Sequence, residues 1–71
     1  MRIEHIKLTF ASEAEYNKAL DAIDRTFPVE VLESLDAAQT MRYGCVNYWT
    51  IEFNEPITVG HFENFVRRYN E

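Results

Sequence analysis

The sequence predicts a single small α+β domain in the order β-α-β-β-α, with two helices packed on one face of a mainly antiparallel three-stranded sheet. Three observations carry that prediction. Two segments, Ile3 to Phe10 and Cys45 to Phe53, alternate between two faces, the period of a half-buried strand. Two others, Tyr16 to Phe27 and Phe62 to Tyr69, repeat apolar residues every three or four positions, the period of a helix with one buried stripe. Finally, a chain of 71 residues has room for one core, since so short a domain buries only about 60% of its unfolded surface. Residues 1–71 are therefore read as one domain.

The first strand places Ile6, Leu8 and Phe10 on one face and Ile3, His5, Lys7 and Thr9 on the other. Ser12-Glu13-Ala14-Glu15 has the capping-box pattern, in which the serine hydroxyl accepts from a free backbone N–H and the glutamate reaches back. The helix that follows buries Tyr16, Leu20, Ile23 and Phe27, with Ala19 beside them, and Pro28 marks its end. Its outermost positions are Ala14, Lys18, Asp21 and Arg25, and Asp21 and Arg25 stand at the i,i+4 spacing of a stabilising pair.

Residues 29–43 admit two readings. Val29, Val31 and Leu35 suit a strand, whereas Val31, Leu35, Ala38 and Met41 also fall at helical spacing, with Gly44 as a stop. The strand is preferred because three strands are the usual minimum for a sheet covered by two helices. The alternative is a helix over 29–38 with only a short hairpin around Gly44. The segment 46–53 is rich in aromatic and β-branched residues and reads as the central strand, with Cys45, Trp49, Ile51 and Phe53 on one face and Val46, Tyr48, Thr50 and Glu52 on the other. After Pro56, Thr58 is placed to cap a last helix whose stripe is Phe62, Phe65, Val66 and Tyr69. Arg67 and Arg68 favour its C-terminal end.

Seven Lys and Arg against twelve Asp and Glu give a net charge of −5. All of that imbalance lies in residues 11–36, where Lys18 and Arg25 face Glu13, Glu15, Asp21, Asp24, Glu30, Glu33 and Asp36. A chain with that balance is not expected to bind nucleic acid directly, because phosphate-backbone affinity comes from clustered cations. No segment approaches the roughly 20 apolar residues of a membrane span, and the N-terminus has no signal-peptide core, so the expected location is the cytoplasm. One cysteine makes neither an intramolecular disulfide nor a thiolate zinc site.

The residues able to carry chemistry are few. His5 and His61 are 56 positions apart, without neighbouring ligands, and are read as ordinary imidazoles. Cys45 is read as a small core residue, because a nucleophile also needs an orienting base and an oxyanion site. No catalytic, metal or cofactor site is therefore expected. The acids left without local cations are Glu13, Asp24, Glu30, Glu33 and Asp36, and they suit long-range attraction of a basic protein. Tyr43 and Tyr48 are not both accommodated by the expected core. Tyr48 and Val46, together with Ile3, would form an apolar patch on the helix-free face of the sheet, a feature that marks interfaces.

The opening Met1-Arg2-Ile3-Glu4 and the β-α-β-β-α order resemble those of the DNA-damage-inducible protein I family, whose members modulate a recombinase filament. That family's strongly acidic last helix has no counterpart, since Arg67 and Arg68 stand there, and its function is not carried over. By class analogy, a compact acidic domain without site motifs resembles the small inhibitors that bacteriophages make against host nuclease or defence complexes, of anti-CRISPR or nucleic-acid-mimic type. The expectation is thus a non-enzymatic protein-binding inhibitor or regulator acting on a basic surface through Glu13, Asp24, Glu30, Glu33, Asp36, Tyr43 and Tyr48. The alternative is an assembly protein working as a homo-oligomer, with strand-to-strand dimerisation through an unpaired sheet edge.

Overall fold

Trp49, Ile51 and Phe53 alternate with Tyr48, Thr50 and Glu52, and that alternation builds the middle of the domain. The computed structural model describes the backbone of residues 1–42 and 46–71, and the side chains of residues 1–39 and 48–71. Its elements are β1 (Arg2–Ile3), β2 (Ile6–Phe10), α1 (Glu13–Thr26), α2 (Val29–Ser34), β3 (Asp36–Arg42), β4 (Val46–Phe53), β5 (Ile57–Thr58) and α3 (Val59–Tyr69). Three strands form an antiparallel sheet in the order β2-β4-β3. The α+β class and the central position of residues 46–53 are as the sequence predicts.

The register sorts side chains onto two faces. Leu8 and Ala37 flank Ile51, and Phe10 and Gln39 flank Trp49, on the side that meets the helices. Lys7 and Asp36 flank Glu52, and Thr9 and Ala38 flank Thr50, on the other. Ile51 and Phe53, at 0% and 1% exposure, pack with Ala19, Ala22, Ile23, Phe27, Val31, Ile57 and Phe65 as one core. Burying side chains of that size contributes about 1.5–3 kcal/mol each. Phe27 touches three rings, with centroids 5.0 Å from Phe53, 5.9 Å from His61 and 6.2 Å from Phe65. One residue at the end of α1 therefore joins the central strand to the last helix.

Both long helices begin at the predicted caps. The Ser12 hydroxyl accepts from the Glu15 N–H at 3.5 Å and the Thr58 hydroxyl from the His61 N–H at 3.1 Å. The reciprocal half of the capping box is not made, because the Glu15 carboxylate accepts instead from the Tyr69 hydroxyl on α3. Val66 also departs from expectation. At 39% exposure it lies off the buried stripe that Phe65 leads and Phe62 and Tyr69 flank.

Two further corrections concern the strands. Residues 29–34 are helical, against the preferred strand, because Val31 and Leu32 both donate to the Pro28 carbonyl and a short helix starts there. The alternative helix over 29–38 is present only as far as Ser34, and in place of a short hairpin β3 runs in register from Asp36 opposite Glu52 to Arg42 opposite Val46. The first strand is broken at Glu4-His5. Ile3 therefore pairs with Ile57 in a separate two-stranded ribbon and packs against the core, rather than joining Tyr48 on the helix-free face.

Candidate functional site

The two long helices cover two strands of the three. On α1, Glu15, Lys18, Ala22 and Arg25 recur at spacings of three and four, so they share one flank. That flank meets α3: Glu15 bonds Tyr69, the Lys18 ammonium lies 4.7 Å from the Tyr69 ring centroid, and the Arg68 guanidinium donates to the Arg25 carbonyl at 2.9 Å. Since α3 lies over β2, with Tyr69 6.2 Å from Phe10, the opposite flank of α1 looks towards β3. Glu13, Asn17 and Asp24 form that opposite flank, at spacings of four and seven, and all three are exposed.

β3 itself is left open. Ala37 and Gln39 point to the helix side and are exposed, as are Asp36 and Ala38 on the other side. The result is a shelf whose floor is the helix-side face of β3 and whose wall is the acidic flank of α1. Its end is α2, which anchors Val31 in the core and carries Glu30 and Glu33 in solvent. Glu13, Asp24, Glu30 and Glu33 make no ion pair among the described residues, where the salt bridges are Asp21–Arg25 at 3.4 Å and His5–Glu52 at 2.6 Å. Four of the five predicted acids are thus exposed and outside any ion pair among the described residues, on α1 and on α2, the helix that leads into the uncovered strand.

The remaining predicted residues lie elsewhere. Asp36 belongs to the face away from the helices, where it stands opposite Glu52. Like charges directly across a ladder repel, and Asn54 offsets this by donating to the Asp36 carboxylate at 2.8 Å and to the Ser34 carbonyl at 2.7 Å. His5 and Lys7 complete that polar row beside Glu52. Tyr48 lies on the same face, half-buried and with an interaction of its own. Thr50, between Thr9 and Ala38, keeps only 8% exposure although no helix stands over it. Tyr43 and Cys45 fall outside the described residues.

A groove of about 480 Å³ opens between α1 and the end of α3, lined by Lys18, Asp21, Ala22, Arg25, Arg68 and Glu71. Its three cations are already engaged, Lys18 over Tyr69, Arg25 with Asp21 and Arg68 with a carbonyl. Charged side chains in such a seam hold two helices together. The Tyr69 hydroxyl, which donates to Glu15, is held above the usual tyrosine pKa of 10.0, first by that hydrogen bond, then by burial and by the Glu15 charge.

The acids are legible in the sequence, but the shelf is not. The missing signal was the low hydrophobicity of Asp36-Ala37-Ala38-Gln39, which marks a strand with neither face buried. Among the described residues no set of three or more His, Cys, Asp or Glu could hold a metal ion, and no helix is long and apolar enough to cross a membrane. Comparison of the chain with protein-family models, with curated proteins and with solved structures gives no match.

Proposed function

We propose that this chain is a non-enzymatic protein-binding module, a small acidic inhibitor or regulator in the cytoplasm that occupies the basic surface of a protein partner. The observation that supports it is the shelf, an uncovered strand face walled by Glu13 and Asp24 and ended by Glu30 and Glu33. Carboxylates without a local cation project their field outward, and such charges steer a cationic partner and select its orientation more than they add affinity. On the crest of α1 the field is interrupted by the Asp21–Arg25 pair, so the attraction is concentrated on the flank that borders β3. A groove that normally receives nucleic-acid phosphates is one chemistry that would accept this strip, and nucleic acid itself is repelled by it.

The histidines favour the same reading, since each is committed to a structural contact. His5 holds Glu52 on an exposed face, and His61 meets the Phe27 ring.

The test is parallel affinity capture from the source cell with two proteins. In one, Glu13, Asp24, Glu30 and Glu33 are changed to Lys, which moves the net charge from −5 to about +3 at two units per reversal. In the other, the exposed Glu55 and Glu63, outside the shelf, are changed to Lys. Loss of a defined partner with the first variant and its retention with the second is the expected result. Retention by both, with circular dichroism showing both folded, rules out the electrostatic reading.

A further inference from the structure

We infer that β3 pairs through its free edge with β3 of a second copy, antiparallel and centred on Gln39, joining two three-stranded sheets into one of six strands. β3 ends the order β2-β4-β3, so among the described residues one side of its backbone has no strand partner. Unpaired N–H and C=O groups along such an edge are a template for another strand. Asp36, Ala37, Ala38 and Gln39 are exposed, so neither long helix blocks the approach on the helix side.

The stretch 36–42 is also self-complementary. Turned antiparallel about Gln39, Asp36 of each copy stands opposite position 42 of the other, where the sequence has arginine. Ala37 and Ala38 then stand opposite positions 41 and 40, occupied by Met and Thr. Opposite charges directly across a ladder attract and like charges repel, so this register brings an attractive pair at each end and no repulsive one. Positions 36 and 42 lie on the same face of the sheet, so the pairing keeps the helices of both copies on one side. The other edge is less suited, because β2 spans only Ile6–Phe10 and carries the exposed Lys7, a residue type that guards edges against pairing. The inference stands on this edge alone and holds whether or not the acidic shelf takes a partner.

Sedimentation velocity over a concentration series, in buffer of about 0.15 M salt to screen the net charge of each copy, tests it with four proteins. The wild type dimerises. D36R alone and R42D alone each place like charges at both ends of the paired strands and weaken the dimer by roughly tenfold or more. D36R/R42D restores it, and an equimolar mixture of the two single variants forms the heterodimer, in which both ends are again complementary. Asp36 also receives the Asn54 hydrogen bond, so circular dichroism of each variant establishes that it is folded, and R42D reports on the register independently of that bond. A wild type that stays monomeric at the highest concentration reached, a dimer indifferent to both single variants, or singles that the mixture fails to rescue would each overturn the inference.

Discussion

Replacing Phe27 with alanine removes the ring that joins α1, β4 and α3. Phe27 is 5% exposed and lies within 6.2 Å, centroid to centroid, of Phe53, His61 and Phe65. Truncating a buried phenylalanine costs about 3–5 kcal/mol, through lost transfer energy and the cavity left behind. For 71 residues, total stability at the usual roughly 0.05–0.15 kcal/mol per residue is about 4–10 kcal/mol. Phe27→Ala is therefore expected to remove about half of it. Phe27→Leu keeps most of the volume but loses the ring-to-ring geometry, worth about 0.5–1.5 kcal/mol per pair and not additive, so its cost should be about 1–2 kcal/mol. Urea unfolding followed both by circular dichroism and by Trp49 fluorescence measures this. Trp49 lies against the other end of α1, 6.3 Å from Tyr16, so coincident transitions show that the loss is global. With a urea slope near 1 kcal/mol/M for a domain this small, the alanine midpoint should fall by about 3 M or more. A loss below about 1 kcal/mol, or a transition in which the Trp49 signal stays at its wild-type midpoint, refutes the claim that Phe27 unites the two helices with the sheet.

Other outcomes follow from single contacts. The folded state holds the Tyr69 hydroxyl neutral beyond its ordinary pKa of 10.0, so its contribution is fully present below pH 10 and declines as pH rises through the raised value. Tyr69→Phe should flatten that alkaline loss in thermal melts taken between pH 8 and 11, and an unchanged slope would contradict the assignment. Thr58→Ala removes a cap at 3.1 Å and Ser12→Ala one at 3.5 Å. Both should destabilise, by about 1 kcal/mol for the former and less for the latter, and a reversed order in chemical denaturation would count against reading cap strength from distance. Asn54→Ala removes the amide that donates to the Asp36 carboxylate and to the Ser34 carbonyl and should cost about 0.5–1.5 kcal/mol. Asn54→Asp adds a third negative charge to the facing Asp36 and Glu52 and should be worse, so equal midpoints for the two variants would show that repulsion is not involved.

The elements legible in the sequence are those whose periodicity and burial agree. α1, α3 and β4 each bury a stripe or a face, and the apolar spacing that reveals them is the same spacing that packs them. Asp36 to Arg42 failed that test because Ala, Gln and Asp are poor strand formers, and the strand is imposed by its neighbour, the β-branched and aromatic β4. Local preference won only in the short helix before it, where Pro28 fixes the start of α2. The break at Glu4-His5 was invisible for another reason. The alternation of Ile3, His5 and Lys7 runs straight through it, and only pairing of Ile3 with Ile57 draws the chain aside. The acids of the candidate site could be named from charge alone. Their grouping could not, because it depends on which strand the helices leave bare. Glu15 illustrates the limit: its spacing from Ser12 suits a cap, yet Tyr69, 54 positions away, takes its carboxylate.

The ribbon of β1 and β5 ties the first residues of the domain to the start of its last helix, with the Val59 N–H donating to the Met1 carbonyl at 3.2 Å. A nascent chain that has reached Asn54 has its sheet sequence complete but lacks Ile57 and Phe65, both core members. At the usual roughly 5–20 residues per second of translation, the greasy interior stays unsealed for the several seconds that synthesis of the domain takes. The core therefore cannot close until β5 and α3 are both available to it.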